Sequence, residues 1–572
     1  MDLATPAGFR DVLPDEATAR ERIARAVQDA FAARGYAPIE TPTLEIMDVM
    51  RAGGRVSASP FKLFDARGDL LAMRPDVTMQ VARMCATRLV DEPGPLRLRY
   101  MQRVFREADG SMRAEAREMT QIGIECVGAS GAEADAEVVG LLAEALSLTG
   151  ADECMLALAT VGVLRALLAA CGASAAWKER VLDAYHRSNF VELDRLVAEG
   201  AGDGGAPPVF AEAIRKLPRI RGGREAIGEA RALVGPLGCE DGLDAFEATF
   251  DALERRGLGG RLLVDFSVMS SFDYYTGLVF EAYAPGMGTP VGSGGRYDST
   301  IAPRGVARPA AGFAFFLERA MEAASATGRP RASGRPGENA APREGSFDGA
   351  VDPPLRIAVP KGSLNADAVA ALAAAGLDVT GLADPGRALI VRNPGVEYVI
   401  VRPTDAPAFV ASGAADCGIC GEDSLLEAEP DVVELVDLGF GACRFVVAEP
   451  AGAAADTLEH QRRLGSIRVA TKYPRIAAAH YARRGAQVEI VKLHGNIELA
   501  PLTGMAERIV DITATGTTLR ENDLVVVEEV LSSTARFFSN TCAFRTDARI
   551  MHLADELARN VRRSSTAREE RK

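Results

Sequence analysis

RIVDITATGTTLREND, residues 508–523, is the stretch from which the rest of the chain can be read. Its branched apolar start favours a strand that delivers Asp511. Thr513, Thr515, Gly516, Thr517 and Thr518 then turn the chain into a helix predicted to begin near Leu519. Successive backbone N–H groups at such a turn form an anion cradle, and Gly516 lets a phosphate come close to the backbone. Threonine hydroxyls add donors without adding charge, and Asp511 can accept hydrogen bonds from ribose hydroxyls. An acidic residue before a Thr-Gly turn therefore suits a 5-phosphoribosyl group. It also suits an ordinary polar helix cap, where Thr and Asp are favoured anyway. On the loop alone both readings stand.

Upstream, short apolar runs alternate with helical stretches. LRIAVP (355–360), EYVIVR (397–402), CRFVVAE (443–449), SIRVAT (466–471) and VEIVKL (488–493) read as strands, and NADAVAALAAAG (365–376) as a helix ending at Gly376. Such alternation predicts an α/β unit with a mostly parallel, two-sided sheet, in two lobes closing on a cleft. Cys417-Gly-Ile-Cys420 is a lone CxxC with no second pair and no nearby histidine, which favours a buried strand-and-turn pair over zinc or redox chemistry.

Five blocks then occur in order: AVPKGSL (358–364), VRPTDAPAFVASGAADCGICGED (401–423), DLGFGACRFVVAEP (437–450), RVATKYPRIAAAHYARRG (468–485) and VKLHGNIELAPLTGMAERIVDITATGTTLREN (491–522). Together they resemble the catalytic subunit of ATP phosphoribosyltransferase, the first enzyme of histidine biosynthesis. The resemblance implies two α/β lobes like those of periplasmic binding proteins, with phosphoribosyl diphosphate and ATP in the cleft. It implies that Asp511, Thr513, Thr515, Gly516, Thr517 and Thr518 hold the 5-phosphate and ribose, with Glu498 near the ribose and Mg²⁺ arriving with the substrate. Lys361 and Gly362 would face the diphosphate, Arg387 would aid its departure, and Arg402, Asp405 and Asp416 would line the ATP side. Many relatives carry Arg where this chain has Ser363, which shifts charge stabilisation onto Arg387 and Lys361. His494 is expected to pack rather than to act as a base. Residues 551–572 hold a helix and a charged tail, the pattern of the short form, which normally needs a separate partner for activity and feedback.

The preceding half is unlike this one. SATGRPRASGRPGENAAPREGSFDGAVDPP (325–354) is rich in Gly, Pro, Ala and Arg without apolar periodicity, and reads as a flexible linker. The expected division is 1–324, linker 325–354 and 355–572. Residues 14–36 predict an opening helix with Ile23, Val27, Ala30 and Phe31 on one face and Gly35 as its stop. The runs at 96–107, 118–128 and 276–285 predict strands of an antiparallel sheet with helices on one side, an α+β pattern, and 151–257 reads as mostly helical.

GFRDVLPDE, AMRPDVTMQVARM (72–84), RYMQRVFREADG (99–110), EMTQIGIECVG (118–128), SSFDYYTGLVFEAY (270–283), GSGGRYD (292–298) and AAGFAFFLERA (310–320) resemble the catalytic domain of class II histidyl-tRNA synthetases. The resemblance implies a histidine pocket from Asp76, Thr78, Gln121, Glu125, Tyr274, Tyr275 and Tyr297. Ser270 stands where the synthetase has an activating arginine, Ala108 where it has a glutamate, and Phe316 where a glycine admits adenine. No anticodon-binding domain follows. The resemblance thus implies a pocket that is retained and an adenylation chemistry that is lost, as in the regulatory subunit of short-form ATP phosphoribosyltransferase.

Composition agrees. The chain has 572 residues, enough for several domains, with 48% hydrophobic and 25% charged residues. Sixty-five basic against 79 acidic residues give a net charge of −14, which removes a chain-wide nucleic-acid footprint. No apolar run reaches about 18 residues and no signal pattern opens the chain, so a cytoplasmic protein with reduced thiols is expected. The reading is a transferase making phosphoribosyl-ATP, fused to its own activator and histidine sensor, binding neither tRNA nor membrane, and assembled as a homo-oligomer. The alternatives are a working histidyl-tRNA synthetase fused to another module, or a synthetase-like protein joined to a non-enzymatic ligand-binding module.

Overall fold

A computed structural model of the chain describes residues 4–51, 59–107, 116–199, 204–269, 274–300, 308–326, 353–513 and 516–569. The expected linker, apart from its ends, and the positions Ala108, Ser270 and Thr515 lie outside the described residues. The chain divides into two units, Met1–Ala350 with Thr541–Asp547, and Val351–Asn540 with Ala548–Lys572. Among the described residues no helix is long and apolar enough to cross a membrane.

In the first unit the opening helix runs Pro14–Ala33, with proline in its first turn where a missing N–H costs nothing. Ile23, Val27 and Phe31 are buried as their spacing predicts, and Ala24 rather than Ala30 completes the face. The strands follow as β1 (Ala37–Pro38), β2 (Leu44–Ile46), β3 (Lys62–Phe64), β4 (Leu70–Met73), β5 (Leu96–Phe105) and β6 (Glu118–Val127). After these come β7 (Met155–Thr160), β8 (Arg221–Gly222), β9 (Leu262–Asp265), β10 (Leu278–Tyr283), β11 (Gly292–Arg296) and β12 (Ala310–Phe316). Nine of them form one sheet in the order β1-β5-β6-β12-β11-β10-β7-β9-β8. It is antiparallel except where β1 meets β5 and β7 meets β9. The helix Ala132–Thr149 covers it and stops at Gly150. The span 151–257 supplies helices from Val161 to Arg255 as expected, but also β7, whose run MLALAT carries no periodicity that separates buried strand from helix.

The second unit contains β13 (Leu355–Pro360), β14 (Ile390–Asn393), β15 (Val396–Val401), β16 (Cys417–Gly421), β17 (Val432–Asp437) and β18 (Cys443–Pro450). It continues through β19 (Ile467–Thr471), β20 (Val488–Lys492), β21 (Arg508–Thr513), β22 (Leu524–Ser533) and β23 (Ala535–Asn540). They form two sheets, β14-β15-β13-β16-β23-β17 and β20-β19-β21-β18-β22. The expected mostly parallel sheet is corrected, because both sheets are mixed. β13 runs parallel to β15 and β16, whereas β23 is antiparallel to β16 and β17. The cause is the chain path: it leaves the first sheet after β17 and returns from the second through β22 into β23, entering from the opposite direction. The two crossings pair with each other, Leu438 N–H donating to Ala535 O and Ala535 N–H to Phe440 O, each at 2.9 Å. Arg536, 8% exposed, binds Glu422, Glu434 and Asp437 there. Cys417 and Cys420 lie buried in β16, as the strand reading predicts.

Candidate functional site

In the first unit the predicted pocket residues come together at the middle of the large sheet. The Asp76 carboxylate accepts the Thr78 N–H and a Gln121 Nε2 hydrogen, both at 2.8 Å, and Gln121 in turn accepts the Val77 N–H at 3.0 Å. Glu125, on β6, is 1% exposed and accepts hydrogen bonds from the hydroxyls of Tyr297 and Tyr100. Gly312 on β12 lies opposite Glu125, and any Cβ there would run into the carboxylate. Tyr274 packs against Tyr275 with ring centroids 4.7 Å apart and meets Tyr297 edge-on at 5.6 Å. Burial pushes Glu125 up to about 8, opposed by the hydroxyl hydrogen bonds and assisted by the charge of Asp76. The chamber thus sets a carboxyl that burial makes easier to protonate beside Asp76 and aromatic walls, a lining that suits a cationic ring or ammonium when Glu125 ionises. Tyr100 was missed by sequence reasoning, although the alternation of β5 puts it on the inward face.

Phe316, the ring in place of the expected glycine, is buried and has two guanidiniums against it. Arg106 lies 4.8 Å and Arg319 4.9 Å from its centroid.

In the second unit the cations gather at one edge. β13 and β15 are parallel and in register, Pro360 opposite Val401, so Lys361 and Arg402 leave the sheet side by side. Lys361 N–H donates to Val401 O at 2.9 Å. Arg387 lies in the turn leading to β14, whose first residue pairs with Val399 near that same end of β15. Lys361, Gly362, Arg387 and Arg402 are exposed, and Asp405 precedes the short helix Ala406–Ala411. The carboxyl ends of parallel strands are the usual seat of ligands in α/β sheets. Asp416 is not brought there. It precedes β16 at the opposite end, where it binds the Arg356 backbone N–H at 2.8 Å and guanidinium at 2.7 Å.

The 508–523 stretch forms β21, a turn and a helix of only five residues, Thr517–Glu521, which starts earlier than Leu519. Asp511 sits inside β21 opposite Val446 rather than at its end. Its carboxylate accepts the Ile512 N–H at 2.8 Å. Burial raises Asp511 to about 6, that backbone bond works against the rise, Glu498 adds to it and Lys472 opposes it. Gly516 adopts φ +71°, which a side chain resists, and donates its N–H to Thr513 Oγ1 at 2.8 Å. Thr517 and Thr518 are exposed while Leu519 anchors the turn in the core. Arg520 donates to Thr517 Oγ1 at 3.2 Å, placing a guanidinium over the turn. Lys472 sits 5.7 Å from the ring centre of its neighbour Tyr473, with Asp423 and Asp511 in electrostatic reach. Lys472, Asp423 and Arg520 were missed although all three lie inside the quoted blocks, because the resemblance attached no role to those positions. His494 is exposed, not packed as expected. Among the described residues no three His, Cys, Asp or Glu side chains are placed to hold a metal ion.

Two family descriptions match the chain: Histidyl-tRNA synthetase over residues 8–320 and ATP phosphoribosyltransferase over 402–560. Two proteins of Moorella thermoacetica divide the chain between them. One, described as ATP phosphoribosyltransferase, is 54% identical over 203 residues, 34% of this chain and 87% of its own length. The other, described as ATP phosphoribosyltransferase regulatory subunit, is 36% identical over 329 residues, 57% of this chain and 83% of its own. A Bacillus halodurans C structure described as an ATP phosphoribosyltransferase regulatory subunit/histidyl-tRNA synthetase superposes with a TM-score of 0.52 at 26% identity, covering 70% of this chain and 93% of that one. The chain therefore belongs to the ATP phosphoribosyltransferase family, joining in one polypeptide the transferase and a histidyl-tRNA synthetase-like domain of the kind found in its regulatory subunits.

Proposed function

We propose that the second unit joins ATP to phosphoribosyl diphosphate and that the first unit activates it and senses L-histidine. In the reaction N1 of adenine attacks C1 of the ribose, the C1–O bond breaks, and diphosphate leaves with the bonding electron pair. Phosphoribosyl-ATP is the product, and no covalent nucleophile is required. The transition state develops positive charge on the sugar and negative charge on diphosphate, so alignment and neutralisation supply the catalysis. Asp511 accepts hydrogen bonds from the ribose, and Thr513, Gly516, Thr517 and Thr518 cradle the 5-phosphate. Lys361 and Gly362 face the diphosphate and Arg387 meets its growing charge. Arg402 and Asp405 border the ATP side. Asp416 is engaged by Arg356 at the far end of the sheet and is left out of the proposed binding set.

Asp511 with Glu498 as its charged neighbour suits a Mg²⁺ ion carried in by diphosphate. When bound, that ion would neutralise part of the leaving group's charge. The two sheets joined by paired crossings support a two-lobed architecture like that of periplasmic binding proteins. The domain division 1–324, linker 325–354 and 355–572, a cytoplasmic location, homo-oligomeric assembly and the absence of tRNA binding belong to the same reading.

The observation that carries it is Asp511 on β21, followed by Thr513 hydrogen-bonded to the left-handed Gly516 and by the exposed Thr517 and Thr518. The whole chain, mixed with ATP, phosphoribosyl diphosphate and Mg²⁺, is expected to form phosphoribosyl-ATP and to slow when histidine is added. Histidine-dependent exchange of diphosphate into ATP, without phosphoribosyl-ATP, would overturn this in favour of a synthetase.

A further inference from the structure

The seven residues Thr541–Asp547 lie in the transferase sequence yet group with the first unit, and what holds them there is more than apolar packing. The helix Thr541–Thr546 carries Phe544 and Arg545, both buried. The Arg545 side chain is 4% exposed and faces Asp265, whose side chain is 0% exposed, Nε to Oδ2 at 3.4 Å. That contact is ionic without hydrogen-bond alignment, for neither atom has a hydrogen-bond partner. Arg545 Nη2 lies 3.4 Å from Ser267 Oγ, and the guanidinium stands 4.9 Å from the centroid of Tyr283. Phe544 meets Phe190 edge-on at 6.0 Å and carries the Arg221 guanidinium at 4.6 Å.

A buried cation with a loosely aligned partner is poor glue. Apolar side chains of like volume commonly serve as well or better, so such a pair is better suited to fixing a register or a switch. The residues around Arg545 also bracket the pocket. Asp265 ends β9 and Ser267 follows it; Tyr274 and Tyr275 come next among the described residues; β10 then begins at Leu278 and ends at Tyr283. Tyr274 and Tyr275 thus lie on the stretch that leads through β10 to Tyr283, while Asp265 and Ser267, the other groups facing Arg545, stand at the end of β9 and just after it. Glu281, on β10, accepts the Tyr283 hydroxyl and lies in electrostatic reach of Tyr275 and Arg545. On the transferase side, Asn540 ends β23, the strand held between β16 and β17, and is bonded directly to Thr541.

We propose that the Thr541–Thr546 helix is the coupling element of the chain, through which a ligand seated between Glu125 and the pocket tyrosines alters the hold on Arg545 and so the setting of β23. This rests on the proposed histidine pocket and transferase site. Coupling of this kind is reciprocal: phosphoribosyl diphosphate must change the affinity for histidine by the same factor that histidine changes the affinity for it.

The test uses the full chain and Arg545→Met, which keeps the apolar stem and removes the charge. Histidine affinity by calorimetry is expected to stay within about twofold. The concentration for half-inhibition should rise about tenfold or more, and the difference in histidine affinity with and without phosphoribosyl diphosphate should vanish. Parent-like inhibition in a folded Arg545→Met chain overturns the proposal. Should that variant fail to fold, Tyr283→Phe decides, with about a threefold rise expected and parent-like inhibition overturning the idea. A parent chain that histidine does not inhibit instead overturns the regulatory reading beneath it.

Discussion

The predicted pocket of the first unit is closed and hydrogen-bonded within itself, whereas the proposed transferase site is largely laid open. Gln121 and Tyr297 are each 2% exposed, and their hydrogen bonds run to Asp76 and Glu125 within the pocket. In the second unit Lys361, Arg387, Arg402, Thr517 and Thr518 all face outward, Asp405, Glu498, Asp511 and Gly516 are half-buried, and Thr513 is buried. A sensor benefits from a closed chamber, since its specificity comes from buried polar groups that the wrong ligand leaves unpaired. A site for two large polyanions needs cations that stay hydrated until substrate replaces the water, because burying them empty would be costly.

The strongest blow to this contrast is Asp511→Ala, expected to lower kcat/KM for phosphoribosyl diphosphate by about 10²–10³-fold, the range seen when one preorganised polar group is removed from an active site. Steady-state turnover equal to the parent would mean that the half-buried Asp511 carboxylate does nothing in the open site. Arg387→Ala sharpens the picture from the exposed side. Its kcat should fall about 30-fold while ATP affinity, followed by equilibrium titration, moves less than about threefold. Glu125→Gln tests the closed chamber, where loss of a charge-assisted bond should weaken histidine binding about 10–100-fold by calorimetry.

The smallest effect is a pH dependence. Glu125 sits at about 8 against an ordinary 4.5, so the protonated form is favoured in the fold. Its contribution to stability is complete below about pH 4.5 and is lost as pH rises through about 8. Thermal melts of the parent should therefore decline over that window more than those of Glu125→Gln. A cationic ligand needs the ionised form, so histidine affinity should climb by up to about tenfold per pH unit below 8. Flat affinity between pH 6 and 8 would show that the carboxyl is already charged in the empty pocket.

The sequence was most legible where chemistry and fold coincide. The seven pocket residues lie on β6 or next to β4, β10 and β11, so an ordered set of motifs located the chamber as well as the sheet. The 508–523 stretch was legible only in outline: a branched strand leading to a helix was expected, but the place of Asp511 inside β21 and the helix start at Thr517 were not. Asp416 misled because a block of sequence does not say which end of a strand a residue occupies, and only the register of β13 with β16 puts it beside Arg356. Arg545 was invisible for a deeper reason. Its partner Asp265 is 280 residues away, and neither residue stands in a motif. The antiparallel entry of β23 was hidden likewise, being set by a crossing between sheets rather than by any local pattern.

Phe316 also bears on any attempt to widen the first unit at this point. Its ring centre lies 4.8 Å from the Arg106 guanidinium and 4.9 Å from that of Arg319, so one aromatic ring serves two cations at once. Trading the ring for a small side chain would take this contact from both arginines together, so room gained there would come at the expense of stability.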